Sequence, residues 1–309
     1  MALTQADLDQ RLKFVGASEA AAILGLDPWR TAADIWALKT GRVESGAAGD
    51  AADLGIRLEP VVLDWAAELL GPLDRNRRII RDDLRLGATF DALTQYSEPV
   101  EAKTSGLLSL RTEDWGDAGT DEVPERVIIQ AHVQMILAEA NVCHVPTLLG
   151  GRGLVMYQVE INVELAKMLA ETIPAWWDRF VATDTPPDDS TPSISILKRY
   201  KRVPEKVAEI DPQLARDYQH YAQCVKDAEA LKEDAQAKLL AAMGDAEAAD
   251  FGDAEKLFTY AETKTNRFAV AEFKAANPEL HREFCRESAF RSLRLVRKPK
   301  APKTKGSQQ

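Results

Sequence analysis

Residues 77–104 constrain the fold of this chain more than any other stretch. Arg77–Arg81, Arg85–Ala92 and Pro99–Thr104 are short runs carrying Ile79, Ile80, Thr89, Phe90 and Val100, separated by turn-forming Asp82-Asp83 and Gln95–Glu98, and they read as strands. A helical stripe precedes them: Leu54, Leu58, Val61, Val62, Trp65 and Leu69 recur at helical spacing between about Ala52 and Leu70. A second stripe follows, opened by Pro124 and carried by Ile129, Val133, Ile136 and Ala140 to about Glu139. Strands bracketed by amphipathic helices bury their apolar faces against one another in layers. The pattern therefore predicts an α/β core, a mixed central sheet flanked by helices.

The remaining segments attach to this core. Residues 17–41 read as helical, with Ser18 as an N-cap, Asp27-Pro28 starting a second short helix and Lys39-Thr40-Gly41 ending it. Residues 45–52 and 105–123 read as loops. Pro60 falls inside the first long helix and removes a backbone donor, which predicts a kink beside Glu59. Val145–Leu149 and Leu154–Ile161 form a hairpin around Gly150–Gly153, and a helix holding Trp176 and Trp177 closes the core near Ala182. Thr183–Ser193 is rich in Pro and Asp and reads as a linker. Asp211 and Pro212 then open a long helix, whose stripe of Leu214, Tyr218, Tyr221, Val225, Ala228, Ala235, Leu239 and Ala242 runs to Gly244. Phe251–Tyr260 and Phe290–Val296 read as strands around a short helix at Ala269–Ala276. The expected organisation is a core over 1–185, a linker over 186–210, a helical arm over 211–245, a small C-terminal α+β element over 246–296 and a basic disordered tail over 297–309.

Composition excludes several classes. No apolar run approaches the roughly 20 residues that span a bilayer, and the first residues lack the layout of a signal peptide, so a cytoplasmic location is expected. Cys143, Cys224 and Cys285 are scattered and odd in number, which argues against a disulfide framework and against a four-cysteine metal or iron–sulfur site. His132, His144, His220 and His281 show neither HExxH nor zinc-finger spacing. The net charge is −10, yet residues 291–309 hold only basic charges, so the remainder is more acidic still. Broad coating of DNA is disfavoured; passage of a strand through a local basic site is not.

The chemistry concentrates at Asp91, Glu101 and Lys103. If Val100–Thr104 is a strand, Glu101 and Lys103 point to one face, and Asp91 from the neighbouring strand completes a patch of two carboxylates and an ammonium. Hard divalent ions take such oxygen donors, and a phosphodiester takes the cation. Glu59 and Gln130 stand in contexts that can converge on the same patch. The ordered set is Gly55-Ile-Arg-Leu-Glu59-Pro60 on a helix, Asp91 ending a strand, Glu101 and Lys103 on the next, and Gln130 with Gln134 on the following helix.

This set resembles the YqaJ-type viral recombinase family, relatives of phage lambda exonuclease within the PD-(D/E)xK nuclease superfamily. The likeness extends to Arg11-Leu-Lys-Phe-Val-Gly16-Ala-Ser18-Glu19 and Gly25-Leu-Asp-Pro-Trp29, and covers roughly residues 10–180. One departure is Ala92, where the family usually has Gly after its metal-binding Asp. The resemblance implies a restriction-endonuclease-like core and a Mg2+-dependent 5′→3′ double-strand DNA exonuclease, with Mn2+ as a substitute ion. It implies that Asp91, Glu101, the carbonyl of Ala102 and Glu59 hold metal, that Lys103 activates water or offsets phosphate charge, and that Gln130 positions these groups. It further implies that Arg11 and Ser18 take a 5′-terminal phosphate, that the chain forms a trimer, and that a single-strand annealing protein is its partner. The alternatives are another nuclease of that superfamily, endonucleolytic or RecB/Cas4-like, and a non-catalytic DNA-binding recombination scaffold.

Overall fold

The structure is a computed structural model, and it describes residues 9–43, 49–106, 115–252, 257–286 and 292–294. It divides into two units, Met1–Arg202 and Val203–Gln309. In the first unit the elements are β1 (Val15–Gly16), α1 (Ala20–Ile23), α2 (Ala32–Lys39), α3 (Asp50–Leu70), β2 (Asp74–Arg75), β3 (Arg78–Arg81), β4 (Leu86–Thr89), β5 (Ala92–Leu93), β6 (Pro99–Val100), β7 (Lys103–Ser105), α4 (Glu125–Ala138), β8 (Val142–Leu149), β9 (Gly153–Glu160), α5 (Val163–Trp176) and α6 (Ile194–Lys198). Mixed sheets flanked by helices result, as the sequence pattern requires.

One sheet has the order β1–β4–β3, with β1 parallel to β4 and β3 antiparallel to it. The other runs β2–β5–β6, continues to β8, and carries β9 on the far side; β7 also lies parallel against β8. Val100 pairs with His144 and Lys103 with Thr147, an offset of 44 residues in both cases. The N–H of Glu101 still donates to the carbonyl of His144 at 2.9 Å. Thus β6 and β7 are two parts of one edge in a single register, interrupted at Glu101-Ala102.

α4 lies between these layers and is buried on nearly every side. Its Ile129, Val133 and Leu137 pack with α1, α2, α5 and the small sheet, while Val127, Ala131 and Met135 pack against β8 and β9 with Trp115 and Tyr157. A helix apolar all round belongs in an interior. Its buried polar side chains are His132 and, one turn apart, Gln130 and Gln134; the two glutamines mark where the core gives way to polar chemistry.

Several sequence expectations need correction. Arg85–Ala92 is not one strand: β4 stays in the small sheet and β5 joins the large one, so Asp91 falls at the crossing between sheets. The helix expected over 17–41 is broken. Ser18 lies within a short 3₁₀ turn, Ala17–Glu19, and does not cap it; the Glu19 carboxylate reaches back to the Gly16 N–H at 2.7 Å and takes that role. Asp27-Pro28 does not start a helix. The Asp27 carboxylate accepts from the N–H groups of Trp29 and Arg30, at 2.9 and 3.1 Å, and holds a loop. Thr31 then caps α2 in a reciprocal box with Asp34. α3 carries Pro60 in its interior, as expected, and runs from Asp50 to Leu70.

The segment expected as a linker over 186–210 is divided. Up to Arg202 it packs on the first unit: the buried Asp34 carboxylate accepts the Ser193 N–H at 2.7 Å, and Ile196 joins the core. These contacts are some 160 residues apart in sequence, beyond the reach of local pattern reading.

In the second unit α7 (Pro212–Met243) is capped by Asp211, whose carboxylate accepts the Gln213 N–H at 2.8 Å. It is followed by the antiparallel pair β10 (Ala248–Asp250) and β11 (Leu257–Thr259), then α8 (Val270–Ala276) and α9 (Pro278–Phe284). Of the strand expected over 251–260, residues 253–256 lie outside the described residues and β11 is described; β10 was not foreseen. The strand expected over Phe290–Val296 and the basic tail lie essentially outside the described residues. No described helix is long and apolar enough to cross a membrane.

Candidate active site

Where the large sheet's interrupted edge meets α3 and α4, the side chains change from apolar to ionic. Glu101 is 6% exposed, and a carboxylate so placed needs several donors to offset lost hydration. It has them. Its Oε1 accepts from Lys103 Nζ and from Gln130 Nε2, each at 2.6 Å, and its Oε2 accepts from Gln134 Nε2. Lys103 Nζ donates a second bond to Gln130 Oε1 at 2.9 Å. Lys103 and Glu101 meet because the register is kept across the break, and the two glutamines meet them because they sit one turn apart on α4. The charge-assisted bonds of this network are stronger than neutral ones and fix its geometry.

Asp91 adjoins this network. Its Oδ2 accepts the Ala102 N–H at 2.9 Å, which ties the strand crossing to the interrupted edge. Burial pushes its carboxyl well above the usual carboxylate range, and the Glu101 charge adds to this; Lys103 opposes the shift, Glu59 reinforces it and the Ala102 N–H again opposes it. A carboxyl held so unfavourably, among two further carboxylates, is a group whose ionised form a cation would relieve.

Asp91, Glu101, Ala102 and Lys103 line one cleft of about 570 Å3, closed on the other side by Gly55, Ile56 and Glu59 of α3. Pro60 lacks the N–H that would bond the Ile56 carbonyl, so the helix carries an interrupted ladder where it faces the cleft. Residues the sequence reading had not assigned complete the lip. Arg126 stands over the Trp29 ring at 4.7 Å, and both line the cleft; Trp29 is 62% exposed. The Gly25–Trp29 run was a visible signal for Trp29, whereas nothing in the sequence singled out Arg126.

Gln130 and Gln134 line a second, smaller recess of about 60 Å3, with Arg11, Gly16, Ser18 and Thr89. This recess suits a single anionic group better than a nucleotide. Arg11 and Ser18 are exposed at its mouth. Its frame is set from below by Lys39, whose side chain is 3% exposed and is paired with Glu19. Lys39 Nζ also donates to the Arg11 carbonyl at 2.8 Å, and Glu19 holds the Gly16 N–H. Burial lowers the Lys39 pKa, and the Glu19 charge opposes that shift. An arginine guanidinium donates to the Ser18 carbonyl as well, from Arg30. The structure therefore brings Glu59, Asp91, Glu101, Ala102 and Lys103 into one cleft and Arg11 with Ser18 into another, and Gln130, which lines the recess, hydrogen-bonds the cleft's Glu101 and Lys103.

All the donors available to a cation in the cleft are oxygens, as a hard divalent ion requires. In the arrangement seen, no group of three His, Cys, Asp or Glu side chains among the described residues is gathered closely enough to hold an ion. Glu101 is instead turned onto Lys103 and the two amides. The donor chemistry fits Mg2+, and taking it up requires Glu101 to exchange part of that pairing. The histidines lie elsewhere: His132 bridges the Ile128 carbonyl and the Asn162 N–H, at 2.8 and 2.9 Å, and His144 meets Glu98 at 3.0 Å.

Residues 8–141 match the family of YqaJ-like viral recombinase domains. The uncharacterised protein YqaJ of Bacillus subtilis (strain 168) is 25% identical over 298 residues, covering 92% of this chain and 91% of that relative. Among solved structures, an alkaline exonuclease from Laribacter hongkongensis superposes with a TM-score of 0.46 at 16% identity, over 58% of this chain and 94% of its own. A putative exonuclease from Eubacterium rectale gives 0.45 at 11% identity, over 68% and 97%. At these scores the structural likeness assigns neither activity nor substrate.

Proposed function

We propose that this chain is a metal-dependent nuclease that degrades double-stranded DNA from its 5′ ends. The observation that carries the reading is Gln130: lining a recess with an arginine and a serine, it bonds Glu101 and Lys103 of a cleft that holds three carboxylates and a lysine. The match of residues 8–141 to the viral recombinase family supports it.

In this reading Asp91, Glu101, Glu59 and the carbonyl of Ala102 hold Mg2+, or Mn2+ in its place. Held by these groups, a divalent ion would supply Lewis-acid stabilisation of the phosphate charge and a lowered pKa for the attacking water. Lys103 carries the positive charge nearest the reacting phosphate and orients the attacking water. Gln130 fixes the Lys103 ammonium, and Gln134 fixes Glu101, so that neither rotates away when the substrate enters. Trp29 and Arg126 flank the entry. The Arg11 guanidinium and the Ser18 hydroxyl take the terminal phosphate of the 5′ strand, since a fork of donors suits a dianionic monoester. Anchoring that phosphate in the recess places the first internal phosphodiester toward the cleft and thus sets the polarity. The products are 3′ single strands, substrates for a single-strand annealing partner, and a trimeric assembly around the duplex belongs to the same reading.

The test is digestion of a linear duplex with 5′-phosphates, labelled separately at each terminus, with Mg2+ or with EDTA. Loss of the 5′ label with intact 3′ termini, only with metal, is expected. Shortening from the 3′ end, or cutting of closed circular DNA, overturns the polarity or the end requirement.

A further inference from the structure

The long helix of the second unit carries an ordered apolar surface that the nuclease reading does not use. On α7, Tyr218, Tyr221 and Val225 are 58%, 67% and 57% exposed, and none of the described residues of this unit is buried. A helix in water draws most of its stability from packing of its apolar face. A unit without a core of its own commonly obtains that packing from another chain. The face on α7 is a heptad seam. Steps of four and three residues alternate unbroken from Leu214 to Ala242, over four heptads, and Lys232 is the one polar residue on the seam apart from the tyrosine hydroxyls.

Two such seams can pack in parallel or antiparallel, and the residues on them decide between the two. Parallel packing sets each seam residue on its own copy. Lys232 then meets a second Lys232, Tyr218 and Tyr221 each meet their own kind, and Ala228, Ala235 and Ala242 leave gaps. Antiparallel packing about a two-fold axis between Lys226 and Asp227 matches large with small instead. Tyr218 of one copy meets Ala235 of the other, Val225 meets Ala228, and Leu239 meets Leu214. Lys232 meets Tyr221, whose ring suits both the alkyl stem and the charge of a lysine.

The flanks of the seam point the same way. In this register Asp217 of one copy lies beside Lys238 of the other, at both ends of the pair, and Cys224 lies beside Leu231 between them. Sliding the helices by one heptad loses the charge match in either direction: one shift sets Glu229 against Glu229, and the other sets Asp217 against Leu231. Within its own chain Asp217 accepts from Gln213 and Lys238 pairs with Asp234, each at 2.6 Å and one turn away on an exposed face. Exposed contacts of this kind are worth little and yield readily to a new partner.

We propose that α7 is the docking surface for a second copy of this chain, and that the two arms form an antiparallel two-stranded coiled coil. The contact rests on the arm and not on the nuclease reading. Whatever number of cores assemble, it doubles the number of chains in the particle.

The test is the mass of the full-length chain by sedimentation equilibrium, over a concentration series in low-salt reducing buffer, beside four variants. Val225→Glu puts a carboxylate into the central layers of the seam, and the mass should halve. Asp217→Lys sets two lysines together at each flank and Lys238→Asp sets two aspartates together, so each should weaken association roughly tenfold. The double variant, Asp217→Lys with Lys238→Asp, restores opposite charges and should recover the association of the wild type. Along one helix the two positions are 21 residues, about 32 Å, apart, so that recovery passes between chains. It also excludes a misfolded arm as the cause of the single losses, and since the double variant lacks the Asp234 pair as well, that pair does not explain it. Equal mass in the wild type and Val225→Glu overturns the proposal and assigns the seam to a different partner. A double variant as weak as the single ones, or single variants that associate like the wild type, overturns the antiparallel pairing.

Discussion

The carboxylate cleft and the Arg11/Ser18 recess, linked through Gln130, are built in opposite ways. In the cleft the charges are buried or partly buried and bonded to one another: Glu101 has Lys103 and two amides, and Asp91 has a backbone N–H. In the recess the side chains that would meet a ligand, Arg11 and Ser18, stay exposed, and the buried ion pair beneath them, Lys39 with Glu19, grips the main chain instead. On the proposed function the contrast follows from what each would do. Groups that act on a developing charge gain from a dry, preorganised setting, where electrostatic terms are large and reorganisation is small. A group that captures an end from solution gains from staying solvated, reachable and correctly aimed.

This difference is sharpest under substitution. Lys103→Ala or Asp91→Ala should lower cleavage by roughly 10²–10³ while leaving retention of DNA largely intact, since removal of one preorganised stabilising group typically costs that much. Single-turnover rates and filter binding separate the two effects, and wild-type turnover in the Lys103 variant would end its assigned role. Arg11→Ala should act on selection: preference for 5′-phosphate over 5′-hydroxyl ends should fall by roughly 10- to 100-fold, the worth of a charge-assisted hydrogen bond of about 1.5–3 kcal/mol. An unchanged ratio would mean that the recess does not read the terminus. Gln134→Ala leaves an oxygen of buried Glu101 short of a donor, so it should cost about 1–3 kcal/mol of stability in a denaturant titration; a neutral result would show that water replaces the amide.

The smallest expected effect concerns pH. Asp91 has its pKa raised by burial, so the folded state holds this proton more tightly than the unfolded chain does. Folding stability is then reduced progressively as pH rises above the unfolded value, about 3.9, and the penalty is complete above the folded pKa. Asp91→Asn removes the penalty and keeps an acceptor for the Ala102 N–H. In metal-free buffer the variant should match or slightly trail the wild type in acid and gain on it as pH rises, by thermal melting. A parallel pair of curves would contradict the electrostatic description of the cleft.

Much of the first unit was legible in the sequence because its signals are local. The α4 stripe, the Gly150–Gly153 hairpin and the strand-rich stretch over 77–104 needed only periodicity and turn residues. The spacing from Asp91 to Lys103 was likewise readable, and the structure gathers those groups beside Glu59. What escaped was decided at long range. Phe90-Asp91 looked like the end of one strand, since nothing local shows that β4 and β5 join different sheets. Residues 190–196 looked like linker, because their fixing partner is Asp34, far away in sequence. Gln134 was visible as a spaced amide, but its task depends on where α4 sits against the sheet. Ser18 has the composition of an N-cap, and only the reach of Glu19 to Gly16 shows that the turn is capped otherwise.

The central claim is that Glu59, Asp91 and Glu101 form one seat for a hard cation. Calorimetric titration of Mg2+ into the chelator-stripped chain, beside Asp91→Asn and Glu101→Gln, tests it most directly. The account expects saturable binding by the wild type and strong loss of binding heat in each variant. Binding that is absent from the wild type, or equal in all three proteins, would contradict it.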